Sequence, residues 1–157
     1  IKRFVNSQVI ASPRRRQDID FAVIFGYPEK ARQIKPALDF LYAADLPVFA
    51  TSRIYNGIYQ DEVNRDLSNI YFTSMPWTMP KQLPRKLQSN YEMHVAYKQL
   101  YARGYDSLLL LRNLKTLKLN TDYTVFGATG ELSLVNMTIK RRVQWAHFQD
   151  GKVRSLP

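Results

Sequence analysis

The side chains able to do acid–base, nucleophilic or metal chemistry are few and widely spaced. The two histidines, His94 and His147, are far apart in sequence. His94 lies on a predicted helix and His147 on a predicted strand, so both read as surface or lightly packed side chains. There are no cysteines, which removes disulfides, thiolate nucleophiles and cysteine zinc sites. Cysteine absence alone does not fix the compartment. Of 13 carboxylates, Asp18 and Asp20 alternate around a strand start. They read as strand-entry residues and not as a general acid–base pair. Ser52 has no base near it in sequence. Glycine-rich dinucleotide and phosphate loops, the Gly-x-Ser-x-Gly elbow and the His-Glu-x-x-His zinc motif are all missing. The sequence therefore argues against an enzyme, and it predicts neither a cofactor nor a metal site.

The formal net charge is +10, which favours an acidic partner. The tightest clusters are Arg14-Arg15-Arg16 and Lys140-Arg141-Arg142. Neither sits in an RNA-recognition, zinc-finger or basic-zipper pattern, so nucleic acid is not the expected partner. Both clusters read as solvated faces or strand-flanking charge. With 45% hydrophobic and 23% charged residues the composition is that of a globular domain. No apolar run approaches the ~20 residues a membrane span needs. The chain starts at Ile1-Lys2-Arg3 without an initiator Met, signal peptide or lipid-attachment cysteine, and reads as a fragment of a longer protein.

Residues 19–25 form a short run rich in β-branched and aromatic side chains, which predicts a buried parallel strand. Gly26-Tyr27-Pro28-Glu29 then turns into a helix, with Pro28 at its first position and Glu29 at the positive end of its dipole. That helix should kink or restart at Pro36 and close by Asp45-Leu46-Pro47. A second strand at 47–50 completes a β-α-β unit. Ligands of open α/β sheets bind beyond the carboxyl ends of strands. The loops carrying Tyr27 and Ser52-Arg53-Ile54-Tyr55 share that edge, so Tyr27, Ser52, Arg53 and Tyr55 are the candidate cleft residues. Ile70-Tyr71-Phe72 is a third strand. The proline-rich stretch after Trp77 reads as a crossover. A helix over 87–104, with Tyr91, Val95, Leu100 and Tyr101 as core contacts, should end at Gly104. Asp106 should cap a separate helix carrying Leu108, Leu109, Leu111 and Leu114. Glu131 to Val135 is a short strand. Asp150-Gly151 marks a hairpin between 143–148 and 152–156.

Several segments together resemble the LppC family of outer-membrane lipoproteins. They are Arg14 to Phe21, Ala31 to Pro36, Leu46 to Gly57, Asp66 to Ile70 and Met75-Pro76-Trp77. Looser matches follow at Tyr101 to Asp106, Thr129 to Leu132, Trp145 and Gln149-Asp150-Gly151. Ser74 stands where the family has aspartate, ahead of Met75-Pro76-Trp77.

The resemblance implies an α/β fold similar to type I periplasmic binding proteins, a two-lobed flytrap of which this chain would be the second half. Residues 1–76 and 141–157 would belong to one lobe, and 77–140 would form the crossover and closing part of the other. Pro76 and Trp77 would sit at the hinge. The resemblance also implies a non-catalytic activator of a class A penicillin-binding protein, held on the periplasmic side of the outer membrane by an N-terminal lipid absent from this chain. Peptidoglycan is a further possible contact. The alternative is a solute-binding protein. Amino-acid receptors of that fold place an acidic residue where Arg53 stands here. Arginine would instead suit a carboxylate or phosphate, with Tyr27 as an aromatic wall.

Overall fold

The computed structural model describes residues 16–57, 60–79 and 95–156. Strand β1 (Ala22–Ile24), helix α1 (Pro28–Phe40) and strand β2 (Val48–Ala50) form the expected β-α-β unit. β1 and β2 are parallel, with Ala22 opposite Val48 and Ile24 opposite Ala50. Both strands are shorter than the apolar runs containing them. α1 continues through Pro36, without the restart the sequence suggested, and ends at Phe40. Pro36 is exposed, on the side of the helix facing away from the core.

A 3-10 turn (Ser52–Ile54), the short helix α2 (Asp61–Asn64) and a second 3-10 turn (Arg65–Leu67) lead to β3 (Ile70–Ser74), parallel to β2. The antiparallel pair β7 (Gln144–Gln149) and β8 (Lys152–Ser155) adds to β3. The resulting sheet has the order β1-β2-β3-β7-β8. One face of it carries the core: Ile24, Val48, Ala50, Ile70, Phe72, Ala146 and Phe148 pack with Ala31, Ile54, Leu67 and Met79. Strand alternation sends Phe49, Tyr71 and Trp145 to the opposite face. There the Phe49 ring lies 5.8–6.0 Å from those of Phe21, Tyr71 and Trp145.

The β7–β8 turn is the predicted Asp150-Gly151, with φ of 51° and 79°. Two positive φ values are what a two-residue primed turn needs. A Cβ on Gly151 would also strike the backbone of Asp61.

A second sheet is antiparallel, with the order β4 (Thr124–Phe126), β5 (Glu131–Val135) and β6 (Thr138–Arg142). It packs on α3 (Val95–Leu119) through Leu117, Val125 and Leu134, joined by Leu109, Leu110, Leu114 and Tyr123. Three expectations change here. α3 is one continuous helix, so Gly104 does not end it and Asp106 does not start another. Leu108 and Leu111 face outward, while Leu109 and Leu114 face the sheet. Arg141 and Arg142 close β6, so the chain re-enters the first sheet at Gln144 and not at Arg141. His94 and Tyr91 fall outside the described residues.

Candidate functional site

The parallel strands β1 and β2 bring their following loops to one edge. Tyr27 precedes α1 in an extended conformation, and its carbonyl accepts the N–H groups of Lys30 and Ala31. That leaves the phenol ring outside the helix and more than half exposed. Beyond β2, the Ile54 N–H bonds the Thr51 carbonyl at 3.1 Å and tightens the 3-10 turn. The turn carries Ser52 and Arg53 into solvent. The Arg53 guanidinium carbon then stands 5.8 Å from the centre of the Tyr27 ring. This cation–π contact is worth about 0.5–1 kcal/mol at an exposed position.

Tyr27, Ser52 and Arg53 thus share the expected edge, and Tyr55 does not join them. Its side chain is buried and packs on Phe72 and Phe148 at 5.9 and 6.1 Å. The extended residue after the turn points back into the core, so Tyr55 supports this loop from below. The Arg53 guanidinium can pair with a planar anion at this edge, with the Tyr27 ring as an aromatic wall beside it. They offer no general base or nucleophile pair. Among the described residues no group of three His, Cys, Asp or Glu could hold a metal. Nor is any helix there long and apolar enough to cross a membrane. His147 stacks on Tyr71 at 5.7 Å, with a buried Nδ1 that has no hydrogen-bond partner among the described residues.

Pro76 and Trp77 lie in a 3-10 turn (Pro76–Thr78) leaving β3. The Trp77 N–H donates to the Ala128 carbonyl at 3.0 Å. Its ring is buried beside Ala102 and Ala128, 5.3 Å from Tyr101 and 6.2 Å from Tyr105. The chain leaving the first sheet is thereby tied to α3 and to the turn between β4 and β5.

Sequence reasoning missed the third member of this junction. Asp106, in the middle of α3, is buried. Its carboxylate accepts the Ala128 N–H at 2.6 Å, the Thr129 N–H at 2.8 Å and the Thr129 hydroxyl. A Cβ at Gly127 would collide with that carboxylate, so the turn needs glycine for the approach. The available signal was the Gly127-Ala128-Thr129-Gly130 cluster, a run of small residues with backbone donors to satisfy.

A family model described as LppC putative lipoprotein matches residues 1–151. The chain belongs to this family. The penicillin-binding protein activator LpoA of Histophilus somni is 25% identical over 143 residues, covering 89% of this chain and 24% of the relative. This chain thus spans about a quarter of that relative's length. The C-domain of Haemophilus influenzae LpoA (YraM), a regulator of PBP1A, superposes with a TM-score of 0.75 at 21% identity, over 91% of this chain and 46% of that one. A putative branched-chain amino acid ABC transporter from Rhodospirillum rubrum gives a TM-score of 0.60 at 18% identity, over 85% of this chain and 44% of that one. The fold is accordingly α/β of the periplasmic-binding-protein type. At the position read in the sequence as a departure from the resembled motif, the Ser74 hydroxyl is buried 2.8 Å from that of Thr78. Thr78 in turn donates to the Met75 carbonyl at 2.8 Å. A small hydroxyl pair thus fills this place without a charge.

Proposed function

We propose that this chain is part of a non-catalytic regulator of peptidoglycan synthesis, which activates a class A penicillin-binding protein by direct contact from the periplasmic side of the outer membrane. The family match over 1–151 is the observation that carries this reading. The activator and regulator roles of its relatives agree with it. The sparse acid–base chemistry is in keeping with a protein that acts by contact. Activation of this kind is a coupling free energy between a docking surface and a distant active site. It calls for a rigid surface. The junction of Trp77, Asp106 and the 127–129 turn supports such rigidity, and Pro76 with Trp77 forms the joint between two lobes. A pull-down of a purified class A penicillin-binding protein by the full-length protein tests the contact, and no retention at low salt would refute it.

The Tyr27–Arg53 pair favours a second reading, a receptor for a small anionic or amino-acid-like solute. Calorimetry with amino acids and small carboxylates separates the two. Tight binding lost in Arg53→Ala, with no synthase contact, would select the receptor.

A further inference from the structure

We propose that β6 is a docking edge for an extended acidic segment of a protein partner. This inference rests on the regulator reading and names its contact surface. β6 has a strand neighbour on one side only among the described residues, and all five of its residues are exposed. The free edge presents backbone donors and acceptors that an added strand can use. Register places Thr124, Ser133 and Lys140 in one cross-strand row, and Phe126, Glu131 and Arg142 in the next. Buried Val125, Leu132 and Leu134 alternate with them, so both rows lie on the face away from α3. Thr124, Glu131, Ser133, Lys140, Arg141 and Arg142 line an open depression of about 310 Å³.

Two hydroxyls, the Lys140 ammonium and the Arg142 guanidinium therefore share that face beside the free edge, while Arg141, opposite Leu132, alternates to the other face. The one carboxylate lining the depression, Glu131, is 3.7 Å from Arg142, whose side chain is 85% exposed. Such a loose pair exchanges readily for an incoming carboxylate. Residues 95–142 hold eight Lys or Arg against three Asp or Glu, and one of those acids is the buried Asp106. Cations on an edge strand repel a second copy of the same edge. They attract an acidic strand instead. Lys140 and Arg142 are two residues apart and share a face, so the complementary ligand carries carboxylates at alternate positions.

The test measures binding of the full-length protein to a purified class A penicillin-binding protein and to a synthetic peptide with glutamate at alternate positions. A matched glutamine peptide and isolated peptidoglycan are the comparisons. Lys140→Glu with Arg142→Glu should weaken both synthase and glutamate-peptide binding about tenfold or more, with the wild-type affinities falling as salt rises. Lys115→Glu with Lys118→Glu makes the same charge change on exposed positions of α3 and should leave both intact. Lys140→Gln with Arg142→Gln should give an intermediate loss, and matched melting curves establish that every variant is folded. Equal losses in the β6 and α3 variants, or equal binding of the two peptides, would overturn the proposal. So would preferential binding of peptidoglycan through β6. If synthase binding ignores β6 reversal, the regulator reading stands and this docking edge falls. If only the glutamate peptide binds through β6, the edge stands and the regulator reading falls.

Discussion

Asp106 sits mid-helix, yet its carboxylate serves a turn more than 20 residues further on. Removing it in Asp106→Ala strands two buried N–H groups, each costing about 1–3 kcal/mol. Urea unfolding should show a loss of about 2–6 kcal/mol, with a smaller loss in Asp106→Asn, whose amide oxygen can still accept one bond. A midpoint unchanged from wild type would contradict this role. Trp77→Ala empties the neighbouring space and should cost about 3–5 kcal/mol. A loss within the roughly 0.5 kcal/mol of an ordinary surface substitution would mean that the ring does not hold the junction. The residues at the strand-end edge were legible because strand order alone aligns the loops after β1 and β2. Tyr55 was not, since which way a side chain points in an irregular loop is set by packing against Phe72 and Phe148. Asp106 was illegible for a similar reason. Locally it reads as a cap, and its partners are brought to it only by the fold.

At the level of elements, apolar runs and turn signals identified the first β-α-β unit and the β7–β8 hairpin, and the same signals failed at α3 and β6. Gly104 and Asp106 imitate a helix stop followed by a start, but α3 runs through both. The continuous helix makes a prediction of opposite sign to the capped one. A Cβ at Gly104 meets nothing within 4 Å. Gly104→Ala should therefore stabilise by about 0.5–1 kcal/mol, as at any exposed helix interior. A left-handed cap would instead be destabilised, which thermal unfolding distinguishes. β6 escaped notice because its turn is Asn136-Met137, with φ of 49° and 60°, and methionine is no turn signal. At the other hairpin, Gly151→Ala combines a left-handed φ with a clash on the Asp61 backbone. It should cost about 1–3 kcal/mol and lower the melting temperature. Retention of wild-type stability would contradict the close approach of this turn to α2.

Across the whole molecule, a mixed five-stranded sheet and a small antiparallel sheet meet at Trp77 and the 127–129 turn. The α/β class and the family were legible in the sequence, the first from strand-helix alternation and the second from the motifs between Arg14 and Trp77. The pairing of β7 with β3 instead depends on non-local contacts, such as Phe72 against Phe148 at 4.9 Å. The same separation applies to function. In the proposed reading, the sparse chemistry-bearing side chains suit action by contact, and the partner is inferred from the activator and regulator roles of the relatives. A contact activator works at stoichiometric amounts and an enzyme at trace amounts. The most direct measurement is therefore the glycan-polymerising and cross-linking rate of a class A penicillin-binding protein titrated with the full-length protein. The account predicts a rate that rises and saturates near one-to-one, with a response that weakens as salt screens the encounter. A rate that stays flat across the titration would contradict it.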